Sequence, residues 1–244
     1  YSSAASDVYK RQVMNRIKLL MVACLLGMAA TASAQFANSK GSSSQGSDMS
    51  GWQGLRVSYH PMSLSPDKGD NIGITGFSAG YVKGFALSQS TPIFLEVGAN
   101  LLWASKDLTE DFGLDDYDED VSVKLNMFSV NIPVNFGYKY TVNDKFSIYP
   151  YIGLNFRVNA IGKLKIEAEY EGESESESID VFSKDDMKEY EMGEAWKRFQ
   201  AGWQIGVAFN INKFTLAASY GKDFTEISKK VKVSMPSITL GLNF

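Results

Sequence analysis

The chain contains a single histidine, His60, the side-chain type most often used as a general base near neutral pH. Ser58 stands two positions before it, and Ser78 falls on the next predicted strand. A histidine beside a serine can activate the hydroxyl for nucleophilic attack, so a lipid-modifying or hydrolytic site that uses His60 is one hypothesis. No further recognisable catalytic element accompanies these residues, and a solvated or hydrogen-bonded histidine is the preferred interpretation.

Acidic side chains are concentrated in two segments, which hold 20 of the 28 Asp and Glu residues of the chain. Residues 106–121 contain eight of them, and residues 162–196 contain twelve. Carboxylate oxygens suit Ca²⁺, and the weak candidate ligands are Asp115, Asp116, Asp118 and Asp120. This run lacks the glycine and the glutamate spacing of an EF-hand, so we expect mainly solvated, mutually repelling loops that deter aggregation.

Signatures of other chemistry are missing from the sequence. It has no Gly-rich phosphate loop, no zinc-ligand spacing and no dinucleotide fingerprint, so no cofactor is predicted. The negative charge of the two acidic segments argues against a nucleic-acid partner, because phosphate backbones repel carboxylates.

The N-terminal region has the pattern of an export signal. Arg16 and Lys18 precede a short apolar run that ends in an Ala-x-Ala site at Ala34, so cleavage near Ala34 is predicted. A lipoprotein cleaved before Cys24 is the alternative, because the residues ahead of this cysteine loosely resemble a lipobox. We therefore divide the chain into a non-native leader (1–13), a signal peptide (14–34), a polar linker (35–53) and a folded domain (54–244).

Eight segments of the folded domain show the two-residue period of a β-strand. They are Gly54–Met62, Thr75–Ala86, Pro92–Ala104, Ser122–Tyr140, Phe146–Ala160, Lys197–Asn210, Phe214–Phe224 and Ser237–Phe244. Short and long connections alternate between them, which is typical of a barrel with turns at one end and loops at the other. Pro133 and Pro150 lie within predicted strands, where each removes a backbone donor, so bulges or breaks are expected there.

The two faces of these strands differ in a way that favours a membrane environment. Between Phe199 and Phe209, every second residue is apolar, and the residues between them are small or polar. A soluble barrel would place its bulk inside, so the apolar face is expected to meet outer-membrane lipid. The fold class predicted is all-β: an eight-stranded antiparallel up-and-down transmembrane β-barrel with long acidic external loops.

Three stretches resemble the outer-membrane β-barrel family that includes PorT-like proteins. They are "VNIPVNFGYKY" (130–140), "YPYIGLNFRVN" (149–159) and "FQAGWQIGVAFNINKFTLAASYGKDFTEI" (199–227). The closing "SITLGLNF" is similar to the terminal aromatic signal read by the barrel-assembly machinery, which points to Phe244 as the assembly signal. The resemblance implies an eight-stranded barrel in the outer membrane of a Gram-negative bacterium, and it implies no reaction.

An eight-stranded barrel is only wide enough for its own side chains, so the charges that alternation places inside must pair. The predicted lumen charge cluster consists of Arg56, Glu96, Arg157 and Lys139, with Lys124 as a further member. We expect Arg56, Glu96 and Arg157 to form one buried cluster. A structural plug of salt bridges is the preferred interpretation over an ion path.

The predicted function is non-enzymatic: a structural, interaction or accessory role exercised through acidic extracellular loops. Protein or divalent-cation contacts at these loops are the expected partnerships, with the barrel-assembly machinery as a partner during biogenesis. A narrow ion channel and a rim-site lipid-modifying enzyme using His60 are the alternatives.

Overall fold

The structure is a computed structural model that describes residues 50–67, 69–110, 120–170 and 173–244. The predicted leader, the signal peptide with Cys24 and Ala34, and most of the linker lie outside the described residues, as do Asp115, Asp116 and Asp118. No helix within the described residues is long and apolar enough to cross a bilayer.

The described residues form ten strands and one short helix. The strands are β1 (Trp52–Pro66), β2 (Ile72–Ala86), β3 (Ile93–Asp107), β4 (Asp120–Tyr138), β5 (Tyr140–Asn143), β6 (Phe146–Tyr170), β7 (Glu173–Asp180), β8 (Phe199–Ile211), β9 (Phe214–Asp223) and β10 (Val231–Asn243), and the helix is α1 (Lys184–Glu189).

Eight of these strands form a closed antiparallel barrel, which confirms the predicted eight-stranded all-β barrel. The order runs from β4 through β3, β2, β1, β10, β9 and β8 to β6, and β4 also pairs with β6. Two strands are additions to the barrel: β5 continues the line of β4, and β7 pairs with the far half of β6. All eight predicted strands are present, and several extend further than their sequence pattern indicated.

The two ends of the barrel differ in the length of their connections. We call the end with the connections at 87–92, 144–145 and 212–213 the turn end, and the opposite end the loop end. The predicted strands Gly54–Met62 and Thr75–Ala86 leave a long connection at 63–74. This prediction is wrong, because β1 and β2 continue as a paired ladder and leave only residues 67–71 between them. Most of the residues expected in the connection therefore lengthen β1 and β2 at the loop end.

Outward side chains along most of the barrel height are apolar. On β9, Phe214, Leu216 and Tyr220 are exposed, whereas Thr215 and Ala217 between them are buried. This alternation is the pattern of a strand with one face in hydrocarbon.

The pattern reverses at the loop end, where outward positions become charged and inward positions become bulky and apolar. On β6, Lys163 and Lys165 are exposed, and Leu164 between them is buried. The buried residues at this end, which we call the loop-end core, are Met62, Leu64, Ile74, Leu102, Ala104, Leu108, Val123, Leu125, Met127, Leu164, Ile179, Val181, Phe182, Met187, Ile227, Val233 and Met235. The prediction of a small and polar interior holds between this core and the aromatic cluster of Trp52, Phe94 and Tyr149 at the turn end. It fails within the loop-end core, because strands surrounded by water bury their bulky apolar side chains inside.

The prolines interrupt pairing, as their missing N–H groups require. The ladder between β3 and β4 stops at Val97↔Val134 and resumes at Asn100↔Asn131, on either side of Pro133. The break between β4 and β5 at Lys139 lies across from the Pro150 region of β6. A register shift occurs elsewhere, between Phe128 and Ser129 of β4.

Candidate functional site

Arg56 and Glu96 lie together inside the barrel. Arg56 Nη2 is 4.0 Å from Glu96 Oε2, and the same nitrogen donates to Asn243 Oδ1 at 2.8 Å. Glu96 also accepts hydrogen bonds from Trp52 Nε1 at 2.8 Å and from Asn135 Nδ2 at 3.3 Å. Both charges are therefore satisfied by several partners at once, which is what a buried ion pair requires in order to be tolerated.

Glycine makes room for the Arg56 side chain. A Cβ atom added at Gly241 would lie 2.6 Å from Arg56 Nη1 and 2.7 Å from its Cδ. A Cβ atom at Gly54 would lie 2.7 Å from the same Nη1 atom. Because Gly54 and Gly241 have no side chains, the Arg56 side chain can lie against the inner face of the barrel at these positions.

Arg157 forms a second, separate ion pair. Its Nη2 atom lies 2.5 Å from Asp223 Oδ2, and both side chains are almost fully buried. Its Nη1 atom lies 3.6 Å from Met235 Sδ. The predicted single cluster around Glu96 is therefore wrong, because Arg157 reaches across the lumen to β9. Sequence reasoning missed Asp223, although it follows Thr215, Ala217, Ser219 and Gly221 on the inward positions of β9 and could have been found by alternation.

The two predicted lumen lysines lie in different places, one beside the aromatic rings at the turn end of the lumen and the other on the outer face of the barrel. Lys139 sits near the turn end, with its Nζ atom 5.7 Å from the centre of the Phe94 ring and 5.8 Å from that of Trp52. Lys124 is on the outer face of β4, where its Nζ atom lies 3.8 Å from Glu167. Assigning Lys124 to the lumen is wrong, because its neighbours Val123 and Leu125 take the inward positions.

His60 lies in the interior rather than at the rim. It is 6% exposed, its Nε2 atom is 2.8 Å from Ser78 Oγ, and Met62 of the loop-end core follows it on the inner face of β1. Ser58 is bonded to Thr239 at 2.7 Å instead. The predicted rim position is wrong because β1 continues to Pro66, which places His60 well below the end of the strand.

Both ends of the lumen are filled. At the turn end, the Trp52 ring lies 4.9 Å from that of Phe94 and 5.1 Å from that of Tyr149, and the loop-end core fills the other end. The polar space between them is a cavity of about 70 Å³. A polar cavity of this size is large enough to hold ordered water.

The segment after β7 folds over the loop end. Phe182 packs against Gly162, and the Arg198 guanidinium lies 4.7 Å from the centre of the Phe182 ring. Helix α1 begins after Ser183, whose side chain accepts from the Asp186 N–H at 3.2 Å, and it buries Met187 in the core. The loop end is therefore packed rather than open.

Exposed ionisable groups at the loop end interact with close neighbours. A hydrogen bond with Lys165, together with its positive charge, lowers the pKa of Glu167. A hydrogen bond with Glu177 raises the pKa of Tyr190, which follows α1. Among the described residues, no group of three or more His, Cys, Asp or Glu side chains is arranged to hold a metal ion. The Asp115, Asp116, Asp118 and Asp120 hypothesis stays a prediction, because the first three lie outside the described residues.

Phe244 closes the described chain at the turn end. Its ring is 62% exposed, and its backbone N–H donates to the Gln53 carbonyl at 3.0 Å. The ring covers little of the barrel, so its contribution to packing is small. Its proposed use as an assembly signal stays a prediction.

Comparison with known proteins places this barrel in a family. The family described as the outer membrane protein beta-barrel domain matches residues 36–227. Ail of Yersinia pestis, solved with the heparin analogue sucrose octasulfate, is 17% identical over 80% of this chain and 99% of its own, with a TM-score of 0.42.

Two further solved structures are similar to the chain. Neisserial surface protein A is 12% identical over 80% of this chain and 97% of its own, with a TM-score of 0.36. A major outer membrane protein of Thermus thermophilus is 10% identical over 80% and 100%, with a TM-score of 0.39. No curated protein sequence matches the chain. Because the family match covers most of the chain and the closed barrel carries an apolar outer face, this protein belongs to the outer membrane protein beta-barrel domain family.

Proposed function

We propose that this protein is a non-enzymatic outer-membrane barrel whose loop end serves as a rigid platform for a protein partner. The observation that carries the proposal is the loop-end core. The barrel strands continue beyond the apolar outer face and pack their own apolar interior, with charged residues outside. A projecting surface held by such a core is preorganised, which reduces the entropy lost on binding.

The lumen supports this proposal more than it supports a channel or an enzyme. Its charges are engaged as the pairs Arg56–Glu96 and Arg157–Asp223, and aromatic rings fill the turn end. His60 lies beneath the core rather than at a rim accessible to lipid. Ion conductance of the protein in liposomes would support the channel. A change in membrane lipid composition in a His60→Ala strain would support the enzyme.

Three finer assignments belong to the same proposal. They are membership of the PorT-like branch, export with signal cleavage near Ala34, and recognition of Phe244 by the barrel-assembly machinery. The resemblance of residues 130–140, 149–159 and 199–227 supports the first. N-terminal sequencing of the protein purified from outer membranes would test the cleavage position.

Site-specific photo-crosslinking in living cells tests the platform. A photoreactive amino acid is placed at Ser176 on β7 or at Lys229 in the connection before β10, both of which are exposed at the loop end. Leu216, on the apolar outer face, is the matched control position. We expect discrete protein adducts from the loop-end positions and none from Leu216. Adducts that are absent at both loop-end positions, or equal at all three positions, would refute the platform.

A further inference from the structure

β7 is an edge strand that projects from the barrel. Its eight residues pair with β6 from Lys163↔Asp180 to Tyr170↔Glu173, and within the described residues no strand pairs with its other side. Ser176, Glu177 and Ser178 are exposed. An unpaired edge is a template for a further strand, so most proteins protect it.

Two hydrogen bonds at the base of β7 identify which backbone groups face this free edge. The Asp180 N–H donates to Asp186 Oδ2 at 3.1 Å, and the Asp180 carbonyl accepts from the Ser183 N–H at 2.9 Å. Both Asp180 groups therefore point away from β6. The next residue, Val181, points the other way, because its N–H donates to the Gly162 carbonyl of β6 at 3.0 Å.

Backbone groups on a strand alternate in direction, so Ser178, Ser176 and Ser174 share the direction of Asp180. Their N–H and C=O groups form the free edge, while the odd-numbered residues of β7 bond to β6. None of the three is proline, and the sequence of the edge contains no lysine, which are two common forms of edge protection. The helix α1 and its cap occupy the Asp180 end, and Tyr190, which follows the helix, bonds to the side chain of Glu177 rather than to the backbone of the edge.

The charge of β7 determines what the edge can accept. Glutamate occupies every second position, at Glu173, Glu175 and Glu177. A second copy of the same strand would bring glutamates opposite one another, and like charges directly across a ladder are destabilising. A strand with lysine or arginine at alternate positions would instead form opposite-charge cross-strand pairs. The same residues thus disfavour self-pairing and favour a basic partner.

We propose that the free edge of β7 binds an extended, basic segment of another protein by strand addition. The edge N–H and C=O groups of Ser174, Ser176 and Ser178 supply the backbone bonds, and the alternating glutamates select the partner's charge. The proposal rests on the proposed platform function and specifies how that platform recognises its partner.

Binding of a synthetic peptide to the full chain in detergent micelles tests this recognition. The peptide alternates Lys and Thr over about the length of β7, and fluorescence anisotropy gives the Kd. Ser176→Pro removes an edge-facing N–H without removing a bond to β6, so the barrel should still fold. We expect this variant to bind the peptide about tenfold more weakly, because about one net backbone hydrogen bond is lost.

Two controls separate strand addition from simple charge attraction. A peptide of the same sequence, N-methylated at alternate residues, keeps its charge but cannot complete the ladder, and it should bind at least tenfold more weakly. Glu173→Gln/Glu175→Gln/Glu177→Gln should weaken binding, whereas Glu189→Gln/Glu191→Gln/Glu194→Gln, with the same change in net charge, should not. The N-methylated peptide does not depend on the folding of any variant.

Strand addition is overturned if the N-methylated peptide binds as tightly as its parent, if both triple variants weaken binding equally, or if no peptide binds. These outcomes are distinct from failure of the platform. If crosslinking at Lys229 captures a protein and Ser176→Pro leaves that adduct intact, the platform stands and the edge proposal falls. If neither loop-end position gives an adduct, the platform falls.

Discussion

At the scale of single residues, the interior of the barrel is a set of paired charges with space reserved for them. Arg157 and Asp223 are joined by a short, nearly fully buried contact. Arg56 and Glu96 are farther apart, and each has other hydrogen-bond partners. The two pairs should therefore differ in what they contribute to stability.

Neutralising one acid of each pair tests this difference. We expect Asp223→Asn to lower the free energy of unfolding by about 3 kcal/mol, because Arg157 is left as a buried charge without its main partner. Glu96→Gln should cost less, roughly 1–2 kcal/mol, because Arg56 keeps its bond to Asn243 and a glutamine can still accept from Trp52. Urea titration of folding in lipid vesicles measures both.

Glu194→Gln, at an exposed position, is the matched control and should change stability little. An Asp223→Asn variant that is no less stable than Glu96→Gln would contradict the assignment of Arg157 to Asp223.

The space around Arg56 leads to a second residue-scale prediction. Gly241→Ala should destabilise the barrel by about 1–3 kcal/mol, because the new methyl group would overlap the Arg56 side chain. Gly73→Ala is the control, since nothing lies within 4 Å of a Cβ at Gly73. Urea unfolding of the two variants makes the comparison, and equal stability would show that Arg56 can move aside without cost.

At the scale of elements, β6 runs through both the part of the barrel with an apolar outer face and the loop end with a charged outer face. Below Ala160 its inward residues are odd-numbered, such as Arg157 and Asn159, and above it they are even-numbered, such as Leu164. The register shift at Phe128/Ser129 of β4 leaves Ala160 without a partner residue on β4. This bulge switches the inward positions of β6 from odd-numbered to even-numbered residues. The same strand therefore shows an apolar outer face to lipid and a charged outer face beyond it.

Arginine substitutions along the outer face of β6 should locate the boundary between lipid and water, because the cost in folding free energy depends on depth in the bilayer. Leu154→Arg, about midway along the apolar part, should cost about 2–4 kcal/mol of folding free energy in a bilayer. Ile161→Arg, next to the charged positions Lys163 and Lys165, should cost about 0–1 kcal/mol. Folding titrations in vesicles compare the two, and equal costs would place the lipid boundary elsewhere.

The closing strand β10 carries a further prediction. Deleting Phe244 removes an exposed ring and one backbone hydrogen bond to Gln53, so the stability of the folded barrel should fall by only about 1 kcal/mol. Assembly in cells should fall sharply if the terminal aromatic is the signal for insertion. Quantifying the folded protein in outer-membrane fractions tests this, and wild-type levels of the truncated protein would remove Phe244 from that role.

At the scale of the whole molecule, closure of the sheet leaves no barrel strand with an edge in lipid. β4 pairs with β6 and β1 pairs with β10, so backbone pairing continues around the ring apart from the breaks near the prolines. Within the described residues, β7 beyond the apolar outer face and the short β5 at the turn end each pair with a neighbouring strand on one side only.

A closed barrel with an apolar outer face should remain with outer membranes and resist unfolding in cold detergent. We expect the protein to fractionate with outer membranes and to change its gel mobility only after heating, because separation of the ring requires breaking the whole ladder. Recovery in a soluble fraction without detergent, or identical mobility before and after heating, would contradict the barrel.

The sequence alone determined the number of barrel strands and, along the lipid-facing part of each strand, the face that points outward. These properties are local, because a two-residue period within Phe199–Ile211 or Phe214–Asp223 is visible without any knowledge of the partner strand. The small residues along the inner face and the inward positions of Arg56, Glu96 and Arg157 follow from the same period. The resemblance of residues 199–227 to the outer-membrane β-barrel family supports the same prediction of a barrel.

Only the tertiary structure decided which inward groups meet and at what height. Arg157 and Asp223 are 66 residues apart and lie on strands separated by β8, so their contact depends on register and on the width of the lumen. His60 is buried because β1 extends to Pro66, which pairing with β2 and β10 permits and local pattern does not reveal. Period is a property of one strand, whereas register, closure and the loop-end core arise only when the strands are assembled together.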